Sequence, residues 1–174
     1  MQTGENGFDS FLQNFEILLK KNHAVNHFKL NQMDIRQCKG CWDCWWKTPG
    51  ICSIKDDMPR IFSAAMRSDI LIFASPLMVG FTSSLLKKMT DRFVTLIHPY
   101  IILNEGECHH RKRYEKYPDF GLLIEKEHDT DDDDMAIVKD IYDRFALNFH
   151  CKLRFIRTTD IDKPQDIAYE IDNI

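Results

Sequence analysis

Apolar positions along the chain change period several times, and each change marks an element. Phe11, Leu12, Phe15, Leu18 and Leu19 recur at helical spacing. Asp9 or Ser10 suits the N-cap of that helix, and Lys20-Lys21 suits its C-terminus. Val25 to Leu30 reads as a strand. A cysteine-bearing loop broken by Pro49-Gly50 follows. Asp56, Asp57 and Pro59 open a second helix that buries Ile61, Phe62, Ala65 and Met66. Ile70 to Ala74 is a continuous apolar run, as in a parallel strand covered on both faces, and Ser75-Pro76 ends it. Thr82 or Ser83 caps a helix from Ser84 to about Phe93. His98 to Pro118 is a polar excursion with no clear period. Phe120 to Glu125 is a strand again. Asp131 to Asp134 opens a long helix with Ile137, Val138, Ile141, Phe145 and Phe149 on one face. Lys152 to Arg157 is the last strand, with Leu153, Phe155 and Cys151 turned inward. Pro164 begins a short helix to about Asp172.

Strict alternation of helix and strand implies parallel strands joined by right-handed crossovers. There are no repeats or low-complexity linkers, so residues 1–174 read as one domain. Sheets of this kind bind ligands beyond the carboxyl ends of their strands. Both the cysteine loop and Ser75-Pro76 follow strands and are expected on that edge.

Composition narrows the classes. Hydrophobic residues make up 44% of the chain and charged residues 29%, as in a soluble globular domain. A formal net charge of −4 argues against a nucleic-acid or anionic-membrane surface. No apolar run approaches a membrane span, and Met1 to Gly7 has neither a basic nor an apolar signal region, so a cytoplasmic setting is expected.

Four of the six cysteines fall in one segment, Cys38, Cys41, Cys44 and Cys52, spaced C-x2-C-x2-C-x7-C. In a cytosolic chain such crowding favours metal, cluster or catalytic use over disulfides. A [4Fe–4S] cluster with four thiolates is one reading, a four-cysteine zinc site another, and simple packing or free thiols a third. Trp42, Trp45 and Trp46 could shield a cluster, stack on a flavin or fill a subunit interface. Glu107 to Tyr114 holds Cys108, His109 and His110, but adjacent residues rarely point at one centre; a contact loop is the simpler reading. Arg111, Lys112 and Arg113 are a solvated basic face or a grip for a nucleotide phosphate. Ser84-Leu-Leu-Lys87 has the S-x-x-K form but none of the flanking motifs of a serine nucleophile, so it reads as helix. Asp129 to Asp134 lacks the glycine and spacing of a calcium loop and reads as a helix N-terminus.

The ordered block Cys38-x-Gly-Cys41-x-x-Cys44, Gly50-x-Cys52, Asp56-Asp57-Met58, Ser68-Asp69, Ser75-Pro76, Gly80, Ser84, Lys87 and Asp91-Arg92-Phe93 resembles the NADPH-dependent flavin reductases and iron–sulfur flavoproteins. The resemblance covers about Cys38 to Phe93. It implies a flavodoxin-like, doubly wound parallel sheet in a three-layer α/β/α sandwich. It also implies FMN at the strand ends, reduced by NAD(P)H or a protein donor, with electrons passed to a quinone, a flavin or another small acceptor. Carried over, Ser75, Pro76, Leu77, Met78, Val79, Gly80, Phe81 and Thr82 would wrap the isoalloxazine through backbone groups. Ser10 would lie at the phosphate end. Met78 stands where the family often has an aromatic residue, so a sulfur–aromatic contact replaces ring stacking. No side-chain acid or base is implied. The front of the chain departs from the family: its first, central strand is missing. The loop Thr3 to Ser10 carries Glu5 and Asp9 where a basic residue is usual. Either the gene product starts beyond that strand or the protein is arranged differently. The alternative to the enzyme is a flavodoxin-like electron carrier or interaction module without flavin. Three tryptophans and the His98–Pro118 excursion imply a homodimer or larger assembly.

Overall fold

A computed structural model describes residues 7–174. The order of elements is α1 (Gly7–Leu19), α2 (Asp43–Trp46), α3 (Met58–Ala65), β1 (Ile70–Met78), β2 (Phe81–Thr82), α4 (Ser84–Asp91), β3 (Ile97–Asn104), β4 (Glu107–Lys112), β5 (Asp119–Glu125), α5 (Asp132–Asn148), β6 (Leu153–Thr158) and α6 (Pro164–Ile171). Short 3-10 turns occupy Leu30–Gln32 and Arg92–Leu96. The main sheet has the order β2-β1-β5-β6, with β1, β5 and β6 parallel and β2 antiparallel to β1.

β5 shows why this is a three-layer sandwich. Successive side chains of a strand point to opposite faces. Phe120, Leu122 and Ile124 enter a large cluster with α3, α4 and α5, whereas Leu123 enters a separate cluster with Phe15 and Leu19 of α1 and Ile167, Ala168 and Ile171 of α6. The large cluster is rich in rings, with Phe120 stacked on Phe145 at 5.3 Å between centroids. Helix ends follow their local chemistry. Ser83 caps α4 by accepting from the Leu86 N–H, and Asp131 and Asp134 form a reciprocal capping box at the start of α5. Pro59 and Pro164 sit in the first turns of α3 and α6.

Four expectations are corrected. Val25 to Leu30 is not a strand. Val25 packs on the α1/α6 cluster, while Phe28 and Leu30 pack on the opposite one, so the segment crosses from one face to the other. A strand needs a backbone alongside it, and among the described residues no backbone hydrogen bond ties 24–28 to a neighbour. The edge of β1 that faces away from β5 is paired only at Leu77 and Met78, and no strand precedes β1 among the described residues. Second, the polar excursion is an antiparallel hairpin, β3–β4, turned at Glu105-Gly106 with both residues at positive φ. Third, Ile137 and Ile141 are exposed; α5 buries Val138, Tyr142 and Ala146, with Phe149 just beyond its end. Fourth, Ser75-Pro76 does not end the first parallel strand: β1 continues to Met78, and Pro76 still pairs with Glu125 because its missing N–H is not required at that register. Among the described residues no helix is long and apolar enough to cross a membrane.

Candidate functional site

Two regions hold the residues singled out from the sequence. The first is the end of β1. Leu77 pairs with Thr82 and Met78 with Phe81, which leaves Val79 and Gly80 as a two-residue turn at φ 55° and 70°. Gly80 adopts this conformation freely. Val79 does not: a β-branched residue at positive φ is strained, and such strain gathers at functional sites. Val79 is also 97% exposed, beside exposed Met78. Ser75 pins the turn from beneath, donating to the Pro76 carbonyl at 2.8 Å and accepting from the Ser83 N–H at 2.9 Å. Thr82 shares a hydrogen bond with the Tyr142 hydroxyl. The Val79 N–H donates to Glu127 Oε2 at 2.8 Å. A Cβ on Gly80 would lie 2.7 Å from Asp134 Oδ1. Glu127 thus braces the turn and Asp134 crowds Gly80, neither role anticipated from the sequence. Their signal was available only as an acidic stretch after β5.

Ser10 is half-buried in the first turn of α1, close behind Asp9; Thr3 to Asn6 lie outside the described residues. Burial pushes the Glu125 carboxyl up, and nearby Asp9 raises it further. Asp9 and Glu125 thus add negative charge near the end where the resemblance puts a phosphate. The two ends thus differ in chemistry: an apolar turn at the end of β1, and the acidic side chains of Asp9 and Glu125 near the start of α1.

The second region is the cysteine segment. Cys38, Cys41, Cys44 and Cys52 line one cavity of about 370 Å³, together with Trp42, Trp45 and Arg92. Cys38 and Cys41 are exposed, Cys52 is half-buried, and Cys44 is buried, which pushes its thiol up. Trp45 fixes the wall by donating from Nε1 to the carbonyls of Val94 and Ile97 at 3.0 and 3.1 Å. No residue from 75 to 82 lines this cavity, so the structure does not merge the two regions. Among the described residues no group of three or more His, Cys, Asp or Glu side chains is placed to hold a metal ion.

What the cavity does contain is Arg92, 1% exposed, at the end of α4. Its Nη1 bonds the Asp56 carboxylate and the Arg36 carbonyl. Its Nε and Nη2 are buried without a partner. Burial pulls the guanidinium down, but Asp56 and the neighbouring Cys52 sulfur outweigh it and hold Arg92 above its ordinary value. Burial likewise pushes Asp56 up, while Arg92 and the Arg36 and Met58 amides pull it further down, below its ordinary value. The sequence showed Arg92 only as part of Asp91-Arg92-Phe93. Its partner stands 36 residues away, and nothing local marks the pair.

Residues 9–112 match the family model described as NADPH-dependent FMN reductase. A curated relative, the iron-sulfur flavoprotein of Archaeoglobus fulgidus, is 29% identical over 77 residues, covering 44% of this chain and 37% of that protein. Two solved structures share the fold. One is a flavone reductase, with a TM-score of 0.58, 12% identity and coverage of 99% of this chain and 55% of that one. The other is an FMN-dependent NADH-azoreductase from Bacillus anthracis in complex with FMN, with a TM-score of 0.59, 12% identity and coverage of 95% and 88%. The chain thus spans well under two thirds of the curated relative's length.

Proposed function

The chain belongs to the NADPH-dependent FMN reductase family, and from that premise we propose that it is an FMN-dependent oxidoreductase passing electrons from NAD(P)H or a protein donor to a small acceptor such as a quinone or flavin. The observation that carries the reading is the Val79-Gly80 turn. A strained turn with an almost fully exposed Val79 stands at the carboxyl end of a parallel strand, where such sheets receive ligands. Met78 and Val79 would meet the ring with apolar surface. Ser75 and Glu127 would hold the turn still against it. When bound, FMN supplies the hydride and electron chemistry. No acid or base of the chain is assigned.

Titration with FMN, followed by flavin fluorescence quenching, tests this, and NAD(P)H oxidation with an added quinone tests turnover. Saturable quenching with turnover is expected. Protein that leaves FMN fluorescence unchanged would overturn the reading. A specific observation favours a second one, an electron carrier or interaction module without flavin: the Asp9–Glu125 pair opposes an anionic phosphate. Binding without turnover selects the carrier. The same reading includes a homodimer or larger assembly, supported by exposed Trp42, Trp46, Tyr100, Ile101 and Leu103. A monomer by light scattering at micromolar concentration would contradict it.

A further inference from the structure

The amide at the tip of the β1 turn is already taken. Pairing of Leu77 with Thr82 and of Met78 with Phe81 leaves Val79 outside the ladder, 97% exposed. Its N–H nevertheless donates to Glu127 Oε2 at 2.8 Å. Glu127 is exposed and stands two residues beyond the end of β5. Its backbone is fixed there. The Glu127 N–H donates to Thr130 Oγ1 at 3.0 Å, and the Glu127 carbonyl accepts from the Thr130 N–H at 3.2 Å. The carboxylate itself is carried on rotatable bonds, so it can withdraw without moving either strand. A flavin ring presents neutral carbonyl oxygens and ring nitrogens as acceptors. An ionised carboxylate is the stronger acceptor, by roughly a factor of two in bond strength. A ring that bonds this turn through its backbone therefore meets an amide that a better acceptor holds. The bond that keeps Val79 in shape also fills the donor that the ring needs.

We propose that Glu127 is an intramolecular competitor for the flavin ring: its carboxylate occupies the Val79 N–H, and flavin binding exchanges that bond for one to the ring. The proposal rests on the FMN reading above. Glu127 holds the turn until the ring arrives. Ser75, which bonds the turn from beneath, holds it afterwards. The exchange forms and breaks hydrogen bonds only, and no proton or electron moves.

FMN carries an anionic phosphate and riboflavin does not, so the two flavins separate competition for the amide from plain charge repulsion. Parent, Glu127→Gln and Glu127→Ala are titrated with each flavin and followed by fluorescence quenching. Glu127→Ala binds both flavins about tenfold more tightly, the low end for a hydrogen bond to a charged group, because this one is exposed to water. Glu127→Gln keeps a neutral acceptor and falls between the two. In the chain without flavin, the Val79 amide exchanges with solvent faster in Glu127→Ala than in the parent. Tighter binding of FMN alone shows charge repulsion and overturns the proposal. Unchanged or weaker binding in Glu127→Ala overturns it too and leaves the residue a brace. An unchanged exchange rate at Val79 does the same. The FMN reading fails differently: none of the three proteins binds either flavin, and the proposal falls with it. If Glu127→Ala does not fold, Glu127→Gln decides by the same comparisons.

Discussion

The turn at the end of β1 and the cavity beneath the cysteines are opposites in construction. The turn is all exposure and positive φ, yet its polar groups are answered: the Val79 N–H by Glu127, the Ser83 N–H by Ser75, and Thr82 by Tyr142. The cavity mixes exposed lining residues such as Cys38, Cys41 and Trp42 with the buried Cys44 and Arg92, and two donors of Arg92 go unanswered. In the turn the cost is conformational and readiness lies in shape. In the cavity the cost is unmet hydrogen bonding and readiness lies in chemistry.

The largest effect should come from the cavity. Asp56→Ala leaves the Arg92 charge buried and unpaired, which should destabilise the fold by about 3–5 kcal/mol in urea unfolding. The contrast fails if the loss is no larger than that of a surface substitution. Acid supplies an independent check. The Asp56 carboxyl lies below its unfolded value, so its stabilisation is present above the unfolded pKa and lost as pH falls through the folded one. Thermal scans of Asp56→Asn should show a flatter decline on acidification than the parent.

Next comes the turn. Gly80→Val should cost about 1–3 kcal/mol from the positive φ alone, with a further clash against Asp134. Flavin affinity should fall with it. In a Gly80→Ala background, Asp134→Ala should recover the steric share, less the capping-box bond to the Asp131 N–H measured in Asp134→Ala alone, but not the conformational share. Full recovery in unfolding experiments would show that the turn is not strained.

A smaller effect, of opposite sign, is expected from Glu125. Its folded pKa is raised, so its stabilising contribution is complete below the unfolded pKa and disappears as pH rises through the folded one. Glu125→Gln should therefore raise the melting temperature at pH 7 and tighten FMN binding. Looser binding would clear the acidic pair of blame. The smallest effect is Met78→Ala, within about 0.5 kcal/mol on stability because the side chain is exposed, with only a modest loss of flavin affinity.

The parallel strands were legible because Ile70–Ala74, Phe120–Glu125 and Lys152–Arg157 are apolar runs bounded by turn residues, and both faces of such strands are covered. Val25–Leu30 carries the same local signal without the neighbour that makes a strand. Pairing is a property of two segments, and one segment cannot display it. The β3–β4 hairpin was hidden for the converse reason. Lying outside the main sheet, Glu107-Cys-His-His-Arg-Lys112 needs no buried face and shows no alternation. In the candidate site, the turn was legible from Gly80 but not from Ser75-Pro76, which lie inside β1. The Arg92–Asp56 pair and the Asp9–Glu125 pair were not, since each joins residues far apart in the chain.

The separateness of β3–β4 carries a consequence for motion. A sheet of two strands has little stability of its own. This one is fastened to the body by a few ties. Asn104 Nδ2 donates to the Leu147 carbonyl at 3.2 Å, the His110 N–H donates to Asn148 Oδ1 at 3.2 Å, and Trp45 holds the strand's first carbonyl, that of Ile97. β5, by contrast, is paired on both sides and buried along most of its length. Amide protons of the hairpin should therefore exchange with solvent through a local opening that leaves the parallel strands closed, as a unit of its own on the ladder of protection.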